Sequence, residues 1–236
     1  MKLNIEHLGE SLFSGISYLP NTIRLVFIPL LIGLILGMAV ALVRVYKVPV
    51  LGKFFALFIT VYQGIPIIVA LMLYNLLFML GFNDFAGMFH IKSTMADIDN
   101  IWVGIFALSL LSICSVSEVL RGAFLSVPGG QAEAGYSVGL TTRQILGRII
   151  IPQMLPIALP MLVNSIVGLI KASSVVMAIG VAEIVAGSLI PGSRTYSFLE
   201  GYVAAALIYW TFTVLIESFA SILIKKAGKY RRSSND

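Results

Sequence analysis

GAFLSVPGGQAEAGYSVGLTTRQILGRIIIP, residues 122–152, is a long polar, glycine-punctuated stretch in a chain otherwise made mostly of apolar runs. Neighbouring helices in a bundle are usually joined by about two to eight residues, and this connection has about thirty, a length that calls for a purpose. Pro128, Gly129 and Gly130 break the chain. Residues 131–138 read as a short helix, and Gly139 ends it because glycine takes the left-handed conformation at no steric cost. Thr141 with Gln144 three residues on fits a capping box, which starts a second helix through Ile145, Ile149 and Ile151 toward the membrane. The expected product is a helix, a sharp turn and another helix. The first is too short to be stable alone in water. It carries the small residues Ala132, Ala134 and Gly135 around Glu133, a surface that another protein can approach closely. The residues alone equally allow a loop that simply lies along the membrane interface.

On either side of this stretch the composition decides the solvent. The chain is 58% hydrophobic and 11% charged, with a mean hydropathy of +0.98, whereas soluble domains are about a quarter charged. Uncharged or nearly uncharged runs cover 25–43, 54–80, 101–117, 155–170 (continuing past Lys171 to 182) and 202–224, the last with Glu217 inside it. Each approaches or exceeds the roughly 20 residues that a helix needs to cross a hydrocarbon core of about 30 Å. An all-α membrane protein with five spanning helices follows, and with no repeat or linker in the sequence, residues 1–236 form a single transmembrane domain. Cys114, the only cysteine, reads as an ordinary buried small residue.

An odd number of spans puts the termini on opposite faces, so positive charge chooses between two orientations. One set of connecting segments holds Arg44, Lys47, Lys53, Arg121, Arg143, Arg148, Lys225, Lys226, Lys229, Arg231 and Arg232. The other holds Lys2, Lys92 and Arg194 beside Glu6, Glu10, Asp84, Asp97, Asp99, Glu183 and Glu200. The N-terminus is therefore expected outside, with the loop 122–153 and the basic tail 225–236 in the cytoplasm. The tail suits anionic lipid rather than nucleic acid. Residues 1–20 lack the pattern of a cleaved signal. Ile5, Leu8, Leu12, Ile16 and Leu19 recur at helical spacing, as in an amphipathic helix lying on the outer surface.

Within 122–153, Glu133-Ala134-Gly135, then Gly139, then Ile149, Ile151 and Pro152 match the pattern EAA, three residues, G, nine residues, I-x-L-P. This resembles the signature of the integral-membrane permeases of ATP-binding-cassette importers, with Gly135 in place of the second alanine and Ile151 in place of leucine. Glu118-Val119-Leu120-Arg121-Gly122-Ala123, Val127-Pro128-Gly129-Gly130-Gln131, Pro152-Gln153 and Ala158-Leu159-Pro160 are similar to further elements of the polar amino-acid uptake subfamily. The resemblance runs from about residue 15 to the end of the fifth span. It implies a type I importer permease whose EAA segment is a coupling helix seated on a cytoplasmic ATPase. It also implies two ATPase subunits that bind ATP and Mg, an extracellular solute-binding protein, and a second permease, identical or related. The setting it implies is the plasma membrane of a prokaryote. This chain has no G-x-x-x-x-G-K-[ST] phosphate loop, so it is expected to be neither an enzyme nor the holder of a cofactor. The alternative, a secondary transporter or channel independent of ATP, gives no account of the EAA spacing.

Polar groups at membrane depth are costly and persist mainly where they face a cavity or a partner. Lys171 lies about 24 Å of helix beyond the cytoplasmic start of the fourth run. Ser173 and Ser174 are beside it, and Asn164 is two turns earlier on nearly the same face. Gln63, Gly64 and Pro66 mark a break in the second run, where freed backbone groups can meet a solute. Glu118 and Arg121 read as an interfacial pair, Arg24 and Glu217 as snorkelling or pairing near opposite faces, and Trp102 and Trp210 as packing or interface anchors. No HExxH, paired histidines or clustered carboxylates suggest a metal.

Polar amino-acid permeases commonly show R-G-T-P in the second span and K-D-T-S in the fourth, where this chain has Gln63-Gly64-Ile65-Pro66 and Lys171-Ala172-Ser173-Ser174. A basic and an acidic group are missing. The resemblance thus points away from a strongly basic amino acid and toward a neutral or sulfur-containing one such as cystine. Lys171 remains to receive a carboxylate as a point charge.

Overall fold

The computed structural model describes residues 3–88, 90 and 97–232. Lys2 and Lys92, used in the charge reading, and residues 233–236 of the tail lie outside them. The chain opens with α1 (Ile5–Ser17), capped by Asn4, whose side chain accepts from the Glu6 N–H at 3.0 Å. One face of α1 buries Ser11 and Gly15 against α9 (Ile184–Leu189) and α11 (Phe198–Arg232), and the other exposes Ile5, Phe13 and Ile16. The Asn4 N–H donates to Glu200 at 2.8 Å, tying the start of the chain to the start of its last helix.

α2 (Leu19–Val45) carries Pro20 in its first turn, where a missing N–H costs nothing. It packs along α5 (Ile101–Leu125). Lipid tails are as apolar as leucine, so this association depends on close packing. Small residues allow it: a Cβ on Gly33 would lie 2.0 Å from the Ser112 hydroxyl oxygen, and one on Gly37 3.1 Å from the Ile113 carbonyl. α5 is the central helix, mostly buried, whereas the span Ile67–Met88 is mostly uncovered.

The second apolar run is two helices. α3 (Leu51–Gln63) ends at Gly64, and α4 (Ile67–Met88) starts after Pro66. The expected single span over 54–80 is corrected: the spanning element is α4, and α3 is a short apolar helix of 13 residues. Pro66 lacks the N–H that would continue α3.

The polar segment folds as α6 (Gly129–Ser137) and α7 (Thr142–Ile145), then a π-helical turn (Leu146–Ile150) that feeds α8 (Ile151–Ser173). Widening the helix just ahead of Pro152 accommodates a residue that cannot donate to the previous turn. Beyond α8 the chain tightens into a 3-10 turn (Ser174–Ile179), which stops at Gly180 with φ 81°. The short α9 (Ile184–Leu189) and α10 (Gly192–Thr195) follow, and α11 (Phe198–Arg232) closes the bundle. The apolar run expected to reach 182 therefore ends as helix at Ile179. The basic tail continues α11 as far as Arg232.

Among the described residues, five helical segments are long and apolar enough to cross a membrane: Leu19–Val45, Ile67–Met88, Ile101–Leu125, Thr142–Ile179 and Phe198–Ile222. Leu25, Val26, Leu71, Leu108, Ile170 and Val176 form the main core where α2, α4, α5 and α8 meet.

Candidate coupling surface and solute path

α6 and α7 form a hairpin whose closure is local and complete. The Leu140 N–H donates to the Gly135 carbonyl and the Gly139 N–H to the Tyr136 carbonyl, each at 3.0 Å, the paired bonds of a Schellman motif. Gly139 occupies the left-handed position with φ 79°. Two residues on, the Thr141 hydroxyl accepts from the Gln144 N–H at 3.4 Å, and the Gln144 carbonyl oxygen accepts from the Thr141 N–H at 2.9 Å. This reciprocal capping box and the short helix before it follow the sequence reading. Tyr136 and Thr142 join their hydroxyls at 3.1 Å across the turn, and Gln153 reaches Gln131 at 3.5 Å. The hairpin is thereby clipped to the start of α8.

The hairpin has two faces. Glu133 and Ala134 are exposed, and neither of the two ion pairs found among the described residues involves Glu133. Gly135 turns the other way and is buried. A Cβ there would lie 2.8 Å from Ile145 Cγ1 and 3.2 Å from Ile149 Cδ1. The replacement of the motif's second alanine by Gly135 thus has a physical reason: this chain packs isoleucines close beneath α6. Ile149 is half-buried, and Ile151 and Pro152 are exposed where α8 begins.

The structure sorts the polar residues of α8 onto two sides. Asn164, Gly168 and Lys171 lie exposed along one face. Asn164 lines a groove of about 410 Å³ between α5 and α8, together with Ser112, Ser115, Ser165 and Gly168. Ser115 and Ser165 bond across it at 3.0 Å. Ser174 is half-buried and donates to the Lys171 carbonyl at 2.7 Å. Ser173 is fully buried and faces the bundle interior. Gln63 and Pro66 are exposed at the α3–α4 break and do not line the groove.

Ser173 leads to a network that sequence reasoning missed. Its hydroxyl lies 3.3 Å from that of Tyr209, which donates to the Glu183 carboxylate at 2.6 Å. The other carboxylate oxygen accepts from the Val185 and Ala186 N–H groups at 2.9 and 3.2 Å and caps α9. Glu183 is fully buried just beyond the fourth span. Burial pushes its carboxyl above the usual range, against the lowering pull of the Tyr209 hydroxyl and these backbone donors. Around it, Asn21 donates to the Ala182 carbonyl at 2.8 Å and Asn100 to that of Ile179 at 2.9 Å. The segment joining α8 to α9 is pinned from three sides. Read only as an acid in an outer connection, Glu183 offered one signal: a carboxylate directly before the apolar run IVAGSL, where an N-cap belongs.

At the opposite end of α5, the expected Glu118–Arg121 pair forms at 2.8 Å. Arg44 of α2 bonds the other oxygen of the same carboxylate.

Residues 30–229 match the family described as binding-protein-dependent transport system inner membrane component. The chain is 33% identical over 216 residues to a probable amino-acid ABC transporter permease, PatM, of Vibrio harveyi, covering 92% of each protein. It is 31% identical to the L-cystine transport system permease protein TcyL of Bacillus subtilis, covering 94% of this chain and 90% of that one. In three dimensions it is similar to a chain from the crystal structure of an amino acid ABC transporter with histidines. That match has a TM-score of 0.78 and 28% identity, and covers 96% of this chain and all of that one. With its EAA hairpin on a five-span helical body, the chain belongs to the binding-protein-dependent inner membrane components, the permease subunits of ATP-binding-cassette importers.

Proposed function

We propose that this permease carries a polar amino acid, neutral or sulfur-containing, across a prokaryotic plasma membrane, and that the exposed face of α6 is its seat on the ATPase. Permeases of this family work with separate subunits that hydrolyse ATP and with a solute-binding protein, so this chain binds and moves rather than catalyses. In the proposed assembly it pairs with an identical or related permease, and two ATPases that bind ATP and Mg press on the paired α6 helices. The observation that carries the reading is the hairpin itself. Glu133 and Ala134 face outward, Gly139 turns the chain, Gly135 packs on Ile145 and Ile149, and Gln131 meets Gln153 beside Pro152 at the start of α8, so a push on α6 would be delivered to a spanning helix.

On the solute side, Asn164 and Lys171 share the exposed face of α8, and Lys171 receives the carboxylate of the amino acid. Gln63 and Pro66 meet the solute at the α3–α4 break, and Ser174 supports the Lys171 turn. Ser173 contributes indirectly, by holding the end of α8 to Tyr209. Two relatives support the amino-acid reading: PatM, named as a probable amino-acid permease, and TcyL, named as an L-cystine permease. The test is ATP-dependent uptake of labelled amino acids, cystine included, by the reconstituted transporter. Lys171→Ala is expected to lower uptake at least tenfold with the ATPase still bound, as suits loss of a charge-assisted contact of about 1.5–3 kcal/mol. Release of the ATPase by this variant would make Lys171 structural instead.

A further inference from the structure

A recess of about 400 Å³ at the junction of α2, α3 and α5 gathers Arg44, Lys47, Lys53 and Arg121 around Val48, Pro49, Gly52 and Ala56. Four cations face a single carboxylate, because Glu118 serves both arginines. Lys47 and Lys53 join no ion pair among the described residues. The turn that presents Lys47 is itself strained, with Lys47 at φ 51° and Val50 at φ 64°, a region that a β-branched residue rarely adopts. α3 begins at this recess with no side-chain cap and no acid in its first turn, so the positive end of its dipole adds to the cations. Next to Lys53, on a different side of α3 from Gly52 and Ala56, an apolar strip of Val50, Phe54, Leu57 and Val61 is more than half exposed at every position.

A cationic recess with an exposed apolar strip nearby, Lys53 standing between them, is complementary to a molecule with a phosphate at one end and hydrocarbon at the other. We propose that this recess binds the phosphate of an anionic phospholipid headgroup, with the acyl chains lying along α3. The orientation proposed from the charge asymmetry assigns the lipid to the inner leaflet, but the binding itself does not depend on that orientation. A zwitterionic lipid is a poorer fit because its ammonium would enter a site already crowded with cations, where like charges repel. A bound lipid would also brace the α2–α3 turn.

The test is native mass spectrometry of the full-length permease in detergent, titrated with phosphatidylglycerol or phosphatidylethanolamine. Phosphatidylglycerol is expected to be retained preferentially, and Lys47→Gln with Lys53→Gln to weaken it by roughly fivefold per lysine, the worth of one cation beside an anionic lipid surface. The charge-conserving pair Lys47→Arg and Lys53→Arg should restore retention, which separates loss of charge from loss of fold. Equal retention of the two lipids, or an undiminished signal in the glutamine variant, overturns the proposal. So does full displacement of phosphatidylglycerol by millimolar inorganic phosphate, which would make this a site for a free anion.

Discussion

Gly135 shows how one atom sets how closely α6 packs on the residues beneath it. A Cβ would enter the space held by Ile145, which is 2% exposed and has little room to retreat. Gly135→Val is therefore expected to destabilise the hairpin by about 1–3 kcal/mol, as overpacking does, and to reduce ATPase co-purification, with Gly135→Ala milder. Wild-type co-purification by the valine variant would show that α6 is free to stand off from Ile145. At the other end of the bundle, Tyr209→Phe removes the hydroxyl that bonds Glu183 and leaves one carboxylate oxygen buried without that donor. A cost of about 1–3 kcal/mol follows, read as a lower melting temperature in detergent. Glu183→Ala should cost more, because it also uncaps α9. An unchanged melting temperature in both variants would remove the network from the account.

Among elements, the α6–α7 hairpin was the most legible in the sequence, because its determinants are local. Pro128, Gly139 and the Thr141–Gln144 box act within a few residues of themselves, so periodicity and cap chemistry suffice. The division of the second run into α3 and α4 was visible only as a suspected break, since both helices are apolar and hydropathy does not register a change of direction. The Glu183–Tyr209 bond spans 26 residues and the Asn21–Ala182 bond 161. Nothing local marks these pairs, which is why Glu183 read as an ordinary outer acid and Ser173 as a neighbour of Lys171. The orientation of Gly135 was hidden for a similar reason: the motif places it beside Glu133, but Ile145 and Ile149 decide which way it points. Gly139 carries the prediction at this scale. Gly139→Val forces a β-branched residue to φ 79°, at a cost of about 1–2 kcal/mol or more. Uptake should fall to background with membrane insertion intact, and normal uptake would show that the turn tolerates another path.

For the whole molecule, the distribution of burial separates a central helix from outer ones. α5 is central, whereas α4 and α11 leave most of their apolar surface uncovered, the surface that lipid and a second permease would cover. The proposed input enters through α6 at one end of α8, and the α8–α9 junction anchored by Glu183 stands at the other. In the proposed mechanism, a push on the hairpin is converted through α8 into a tilt of the face that carries Asn164 and Lys171.

The most direct test of this account is transport by the purified permease in liposomes, with its ATPase subunits and binding protein, comparing the native chain with Glu133→Lys. The account predicts uptake that requires ATP and is lost on reversing the charge of Glu133, while the variant still inserts into the membrane. Uptake without nucleotide, or ATP-driven uptake undiminished in Glu133→Lys, would contradict it.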